Sequence, residues 1–284
     1  MNVTNTRATT IGKVIPIGAV ALIPIAYFLL TYDGKWWTTL AASVLIFLLA
    51  SLAWPKGGLD AIGLRIPLAQ IGASLLILRI VAVAAHKTIP VITARENITF
   101  ISAWERKRWV SLAHTTGQTL NEEMVLGALI LKFIRKRGKS LHPCVTSATV
   151  ALVFSLAHYL FYRARPSGSW NYGALSIATL TSLFAIGIVR NNCILSTGNV
   201  GYAWALHLGW NAVFINSRYI WQNSYTRLAE PAIFNTILGN AAMVAISLAL
   251  MGLSFLLFLK KRMPVKALHT LSTQIDAPSH VAEK

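Results

Sequence analysis

Glu122 and Glu123 stand side by side in a run that otherwise reads as membrane-buried, from Leu120 through Met124 to Leu131. The chain has nine acidic residues in all, and two of them are here. A carboxyl group inside a bilayer is costly. It is kept where it faces the interior of a helix bundle and serves a pathway or a chemical step. Later in the chain come His158, four residues after Phe154, and His207, four residues before Asn211. A buried carboxylate can take a proton from water. Imidazole and amide groups can position that water or donate hydrogen bonds to a developing oxyanion. Acid, histidine, then histidine with asparagine is a set of types that serves either a water-activating chemical step or a proton pathway.

The elements that carry these residues must be membrane helices. Of 284 residues, 55% are hydrophobic and 12% charged, against about 25% charged in a soluble domain. The mean hydropathy is +0.57. Apolar runs recur at the length of about 20 residues that a bilayer requires. They predict an all-α, polytopic bundle of about eight transmembrane helices, over 14–30, 36–54, 67–85, 110–134, 144–162, 172–189, 200–220 and 233–259. Residues 1–263 form one membrane domain, with the chemistry concentrated in about 110–220. The polar tail 264–284 has no apolar period and is expected to be disordered. The first run resembles a signal peptide, but it is long and no small-residue cleavage site follows, which predicts an uncleaved first span.

The net charge of +17 comes from 26 Lys and Arg residues. These cluster between the apolar runs, at 132–139 and 260–266, as loops over anionic headgroups do. No basic face with interleaved aromatics accompanies them, so nucleic acid is not an expected partner. The stretch 104–109, with a tryptophan at each end and Arg106, Lys107 and Arg108 between, is expected to lie in the headgroup plane. Arg79 is an intramembrane base that must snorkel or pair. The two cysteines, Cys144 and Cys193, have no metal-ligand spacing. Eight spans place both termini on one side, and the loop charges make that side cytoplasmic. The expected location is the inner membrane of a bacterial cell.

Helix geometry tests whether the polar residues can meet. At 1.5 Å per residue, Glu122 lies roughly 15 Å, His158 roughly 21 Å and His207 roughly 11 Å from the same membrane face. All three fall near mid-depth of a core about 30 Å thick. His207 and Asn211 share a helix face. Adjacent glutamates diverge by about 100° (3.6 residues per turn), so one acid is expected to enter the site and the other to brace it.

The ordered set Glu122-Glu123, Phe154 to His158 and His207 to Asn211 resembles the CPBP family, the CAAX-processing and bacteriocin-processing (Abi) intramembrane proteases. Gly63-Leu64-Arg65 looks like this family too, and the eight-span layout resembles its Ras-converting prenyl protease branch. The resemblance implies an endopeptidase acting on a membrane-associated or lipid-modified protein or peptide. In it Glu122 is the general base on water, His158 positions that water, His207 and Asn211 form the oxyanion hole, and Glu123 supports the geometry or binds substrate. Its substrates range from prenylated C-terminal peptides to bacteriocin leaders and membrane sorting tails. The sequence departs from the pattern at one point. The first motif usually continues Glu-Glu-x-x-x-Arg, and here that arginine position is Gly127.

Two alternatives stand beside this reading. The family has also been described as metalloproteases, and Glu122, His158 and His207 are of the types that hold zinc. No His-Glu-x-x-His helix is present, so a metal-free site is the first expectation and zinc the second. A proton-relaying transporter or an inactive scaffold is the non-enzymatic alternative, though the repeated halves common in transporters are absent.

Overall fold

The computed structural model describes residues 18–27, 30, 36–137, 142–164 and 175–262. The expected tail at 264–284 and the residues before Gly18 lie outside these. The described chain is an all-α membrane bundle. Its helices are α1 (Gly18–Tyr27), α2 (Trp36–Ala53), α3 (Gly58–Ala61), α4 (Leu68–Arg95), α5 (Trp109–Glu122), α6 (Leu131–Arg137), α7 (Pro143–Ala164), α8 (Ile177–Thr197), α9 (Gly201–Phe214), α10 (Glu230–Ile237) and α11 (Ala241–Arg262). A π-helical segment, Glu123–Ile130, joins α5 to α6 without a break. Strands β1 (Ile98–Ile101) and β2 (Arg218–Trp221) pair antiparallel, Ile98 opposite Trp221 and Ile101 opposite Arg218.

Among the described residues four helices are long and apolar enough to cross a bilayer: α4, α7, α8 and α11. Helices α1 and α2 are apolar but shorter. Several predicted boundaries shift, each for a local reason. The third span, predicted to end at Ala85, continues to Arg95. Lys87 and Arg95 are exposed while Ile89, Ile92 and Thr93 stay buried. Pro90 is accommodated within it, and the Thr93 hydroxyl donates to the Ile89 carbonyl at 3.0 Å. The stretch from Trp104 forms a turn between β1 and α5, with Lys107 at φ 49° and the Trp104 and Trp109 rings 5.8 Å apart. Arg79 is exposed on the outer face of α4.

The seventh span stops early, at Phe214. Asn216 turns back to donate to the Asn211 carbonyl at 3.2 Å, and Ser217 donates to the Val213 carbonyl at 2.6 Å. These side chains satisfy the last carbonyls of α9 and end the helix. The eighth span is two helices. Gly239 lies at the break, and Asn240 caps α11 by accepting from Ala242 N at 3.0 Å. The sixth span runs on past its predicted end at Val189 to Thr197, where Gly198 closes it at φ 79°.

Helix α9 is central, bordered by α4, α5, α8 and the π segment. Helix α8 packs between α7 and α11 and is the most buried of the four spans; α4 is the least. Side chains such as Leu75, Leu76 and Ile80 on α4, and Leu253, Leu256 and Leu257 on α11, face outward, as a lipid-facing surface requires. Inside, helices are joined by polar bonds. Ser43 donates to Asn121 at 2.8 Å, and Asn121 to the Thr39 carbonyl at 3.1 Å, linking α2 to α5. Ser147 donates to Asn192 at 3.0 Å, and Asn192 to Ser254 at 3.0 Å, linking α7, α8 and α11. Without a hydrophobic force between helices in lipid, such bonds and close packing set the arrangement.

Close packing is tightest where α4 crosses α9. A Cβ on Gly209 would stand 2.7 Å from the Leu78 carbonyl oxygen and 2.9 Å from Val81 Cβ. Gly209→Leu is therefore expected to destabilise the protein by about 1–3 kcal/mol, the scale of overpacking. Thermal unfolding in detergent checks this; an unchanged midpoint would contradict the close crossing.

Candidate active site

The site is built where α5 passes into the π segment, opposite α9, α7 and α8. Glu122 is the last residue of α5 and Glu123 the first of the π segment. Such π turns are rare and often accompany functional sites. Gly127, one turn on, leaves the space into which the Glu123 carboxylate folds: a Cβ there would lie 2.8 Å from Glu123 Oε2.

The two acids take opposite environments. Glu123 is sealed, with 0% side-chain exposure, and Arg190 beside it has 4%. Arg190 Nε lies 3.4 Å from Glu123 Oε2, and Nη1 donates to Oε1 at 3.5 Å. The same guanidinium lies 3.9 Å above the Phe154 ring, a cation–π contact. Glu122 keeps 15% exposure and His207 16%. Tyr27 and Gln118 each donate to Glu122 Oε1 at 3.3 Å. Its other oxygen, Oε2, lies 3.8 Å from His207 Nε2, beyond hydrogen-bond reach.

His207 is thus bracketed by both acids. Its Nδ1 lies 3.0 Å from Glu123 Oε1. An ionised carboxylate only accepts, so Nδ1 carries a proton. Nε2 is then the nitrogen turned toward Glu122. The expectation that only one acid enters the site is refined here. Both flank His207, one at each ring nitrogen, but of the two acids only Glu122 is not sealed.

His158 belongs to the same cluster. Its Nδ1 donates to the Phe154 carbonyl at 2.9 Å, which leaves Nε2 as the lone-pair nitrogen of a neutral ring. Glu122, His207 and Arg190 lie within electrostatic reach of it, and its ring meets Phe154 edge-on at 4.4 Å. Phe154 also meets His207 at 6.3 Å, so one aromatic ring spaces the two histidines. Asn211 lies one turn beyond His207 on α9. It is half-buried, and no hydrogen bond engages its side-chain amide among the described residues; its backbone carbonyl accepts from Ile215 N at 3.1 Å. The structure therefore brings Glu122, Glu123, His158 and His207 together and leaves the Asn211 amide unengaged beside them.

Gly63, from the segment Gly63-Leu64-Arg65, adopts φ 73°. Its carbonyl accepts from Val200 N at 3.0 Å, and a Cβ on it would meet Val200 and Ala128. The segment thus pins the start of α9 to the π segment. Lys132, grouped by sequence with the headgroup-facing cations, instead donates to the Gly198 carbonyl at 2.6 Å, at the C-terminal end of α8.

Three contributors are not apparent from motif spacing. Tyr27 and Gln118 hold Glu122. Arg190 falls just beyond the predicted end of the sixth span, where a lone arginine after Ile188-Val189 reads as a helix terminus. The signal that it is interior is the Asn191-Asn192 pair after it, followed by more apolar residues to Leu195.

Residues 104–213 match the family model described as type II CAAX prenyl endopeptidase Rce1-like. Over that stretch the chain is similar to the Rce1-like family. The match spans less than half of the chain, yet it contains Gln118, Glu122, Glu123, His158, Arg190, His207 and Asn211. The CPBP resemblance drawn from the motifs is thereby met by an independent comparison. No curated protein and no solved structure gives a significant match to the chain.

As for zinc, no group of three His, Cys, Asp or Glu side chains among the described residues is arranged to hold a metal ion. Glu122, His158 and His207 are neighbours, and Nδ1 of each histidine is engaged by Glu123 or by Phe154, which leaves Nε2 of each ring as the nitrogen with a lone pair to offer.

Proposed function

We propose that this protein is an intramembrane endopeptidase that hydrolyses a peptide bond of a membrane-associated or lipid-modified protein or peptide with a glutamate-activated water. The observation that supports it most is the contrast between the acids that flank His207: one sealed and ion-paired, the other open and held by its far oxygen. Glu122 Oε2 is free to take a proton from water. His158 Nε2 is a free acceptor that can orient that water. With Glu123 bound to Nδ1, His207 can become an imidazolium and donate from Nε2 to the tetrahedral oxyanion, as the Asn211 amide can. The buried carboxylate of Glu123 stabilises that cation. The same reading keeps both termini on the cytoplasmic face of a bacterial inner membrane.

The test is cleavage of membrane-anchored peptides by purified protein in detergent, with Glu122→Ala as control. Peptides with a prenylated C-terminus, a leader sequence or a C-terminal apolar tail are compared. No cleavage of any of them, with ion or proton flux in vesicles instead, favours a transporter. Cleavage is expected to survive exhaustive chelation, and metal analysis to find less than one zinc per chain. Stoichiometric zinc that restores a lost activity would replace the glutamate mechanism with a metal-activated water.

A further inference from the structure

The most costly feature of this site is also one that no motif explains. Arg190 and Glu123 are both out of water, and burying two charges is tolerated only when each satisfies the other. The arginine comes from α8, 67 residues along the chain from its acid. On the acid's own helix, the position four residues on is Gly127, the one from which a basic side chain would ordinarily reach Glu123. It is empty of side chain because the carboxylate itself occupies that space. A Cβ at 127 would stand 2.8 Å from Glu123 Oε2 and 2.6 Å from Ile194 Cδ1 of α8. Arg190 Nε approaches the same Oε2 at 3.4 Å from the opposite helix. The guanidinium and the bare glycine are therefore two halves of one arrangement.

We propose that Arg190 is the positioning residue of this site, supplying from α8 the cation that the first motif would otherwise carry at position 127. Through Glu123 it fixes the proton on His207 Nδ1 and so keeps Nε2 turned toward Glu122. Arg190 is 4% exposed and touches Phe154 and Glu123; it acts on the reaction only through His207. Nε and Nη2 make no hydrogen bond among the described residues. The guanidinium is thus held by one long hydrogen bond from Nη1 to Oε1, by charge and by the Phe154 face; with Arg190 removed, the flexible ends of Glu123 and Ile194 can shift to admit a cation from residue 127. Gly127 accounts for the departure from the family pattern: the arginine has changed helix.

The catalytic half of this proposal rests on the protease reading, and the test keeps the two apart. Wild type, Gly127→Arg, Arg190→Leu and the double variant are compared in detergent, with Arg190→Lys as a fifth protein. Two readouts are taken: the thermal unfolding midpoint, and single-turnover cleavage of a fluorogenic peptide. Each single change is expected to lower the midpoint, Gly127→Arg by setting two guanidinium groups on one acid and Arg190→Leu by leaving that acid alone. The double variant is expected to recover most of the loss. Cleavage is expected to fall about 100-fold in Arg190→Leu, the upper scale for losing a group that orients a histidine, with substrate affinity unchanged. In the double variant it should return by about tenfold or more. Arg190→Lys, which keeps the charge without the planar fork, should fall between. If Arg190→Leu is not recovered folded, rescue of expression by adding Gly127→Arg is the same result in another form. Purely additive losses in the unfolding cycle would overturn the exchange of helices. Wild-type cleavage by Arg190→Leu would overturn the positioning role. If the wild type cleaves no peptide, the protease reading fails and the unfolding cycle still decides the pairing.

Discussion

Glu122→Gln is expected to lower peptide cleavage by at least about 1000-fold, in the upper part of the range for losing a general base, while leaving the unfolding midpoint where it was. The amide's oxygen can still accept from Tyr27 and Gln118, which hold Oε1 at 3.3 Å. Its nitrogen cannot take a proton from water. The neighbouring change is expected to read differently. Glu123→Gln leaves Arg190 buried and unpaired, so it should cost stability of about 3–5 kcal/mol, the scale for breaking a buried pair, and should release His207 Nδ1. Activity lost without stability at Glu122, and stability lost with activity at Glu123, is the pattern that assigns one acid to water and the other to His207. Thermal unfolding and single-turnover cleavage of the two variants decide it. A Glu122→Gln protein that cleaves normally removes Glu122 from the base role.

The sequence carries the bundle and four of its chemical groups clearly, for a physical reason. An acid or histidine inside an apolar run has few uses, so its position is informative without any knowledge of contacts. Broadly similar depth follows from rise per residue alone, and the 3.8 Å approach of Glu122 to His207 agrees with it. Helix ends were less legible. Hydropathy marks where apolar residues stop, not where backbone hydrogen bonds stop. Residues 86–95 look polar in order, yet their buried positions fall on one face of α4. Helix α9 ends where Asn216 and Ser217 reach back to its carbonyls, and nothing in mean hydropathy registers that.

Arg190 shows a deeper limit. In one dimension an arginine after an apolar run is a boundary, because a lone guanidinium in lipid is costly. Its acid lies on another helix, and only the packing of α8 against the π segment makes it interior. Gly127 carries the complementary lesson. Read along the chain it is a missing residue of a motif. Read in space it is the room that a carboxylate needs.

The second large effect concerns the oxyanion. Asn211→Ala is expected to slow the chemical step by roughly 100- to 1000-fold, the scale for one lost donor, with little change in substrate binding. The amide is half-buried, one turn from His207, and makes no hydrogen bond that would give it a structural task among the described residues, so the fold should be untouched. Asn211→Asp should be at least as damaging, because a carboxylate there opposes the charge that develops on the carbonyl oxygen. His207→Ala should also be slow, and its loss should not multiply with that of Asn211→Ala, because both groups serve one oxygen. The bracketing of His207 sharpens this. To donate from Nε2 while Nδ1 is held by Glu123 at 3.0 Å, the ring must carry both protons. His207→Gln, which offers a neutral amide, should therefore recover only part of the rate. Single-turnover cleavage of one fluorogenic peptide across the four single variants and the His207→Ala, Asn211→Ala double variant separates these outcomes. Near-normal cleavage by Asn211→Asp would remove Asn211 from the oxyanion hole and leave His207 as its protein donor on α9, and a fully active His207→Gln would show that no imidazolium is needed.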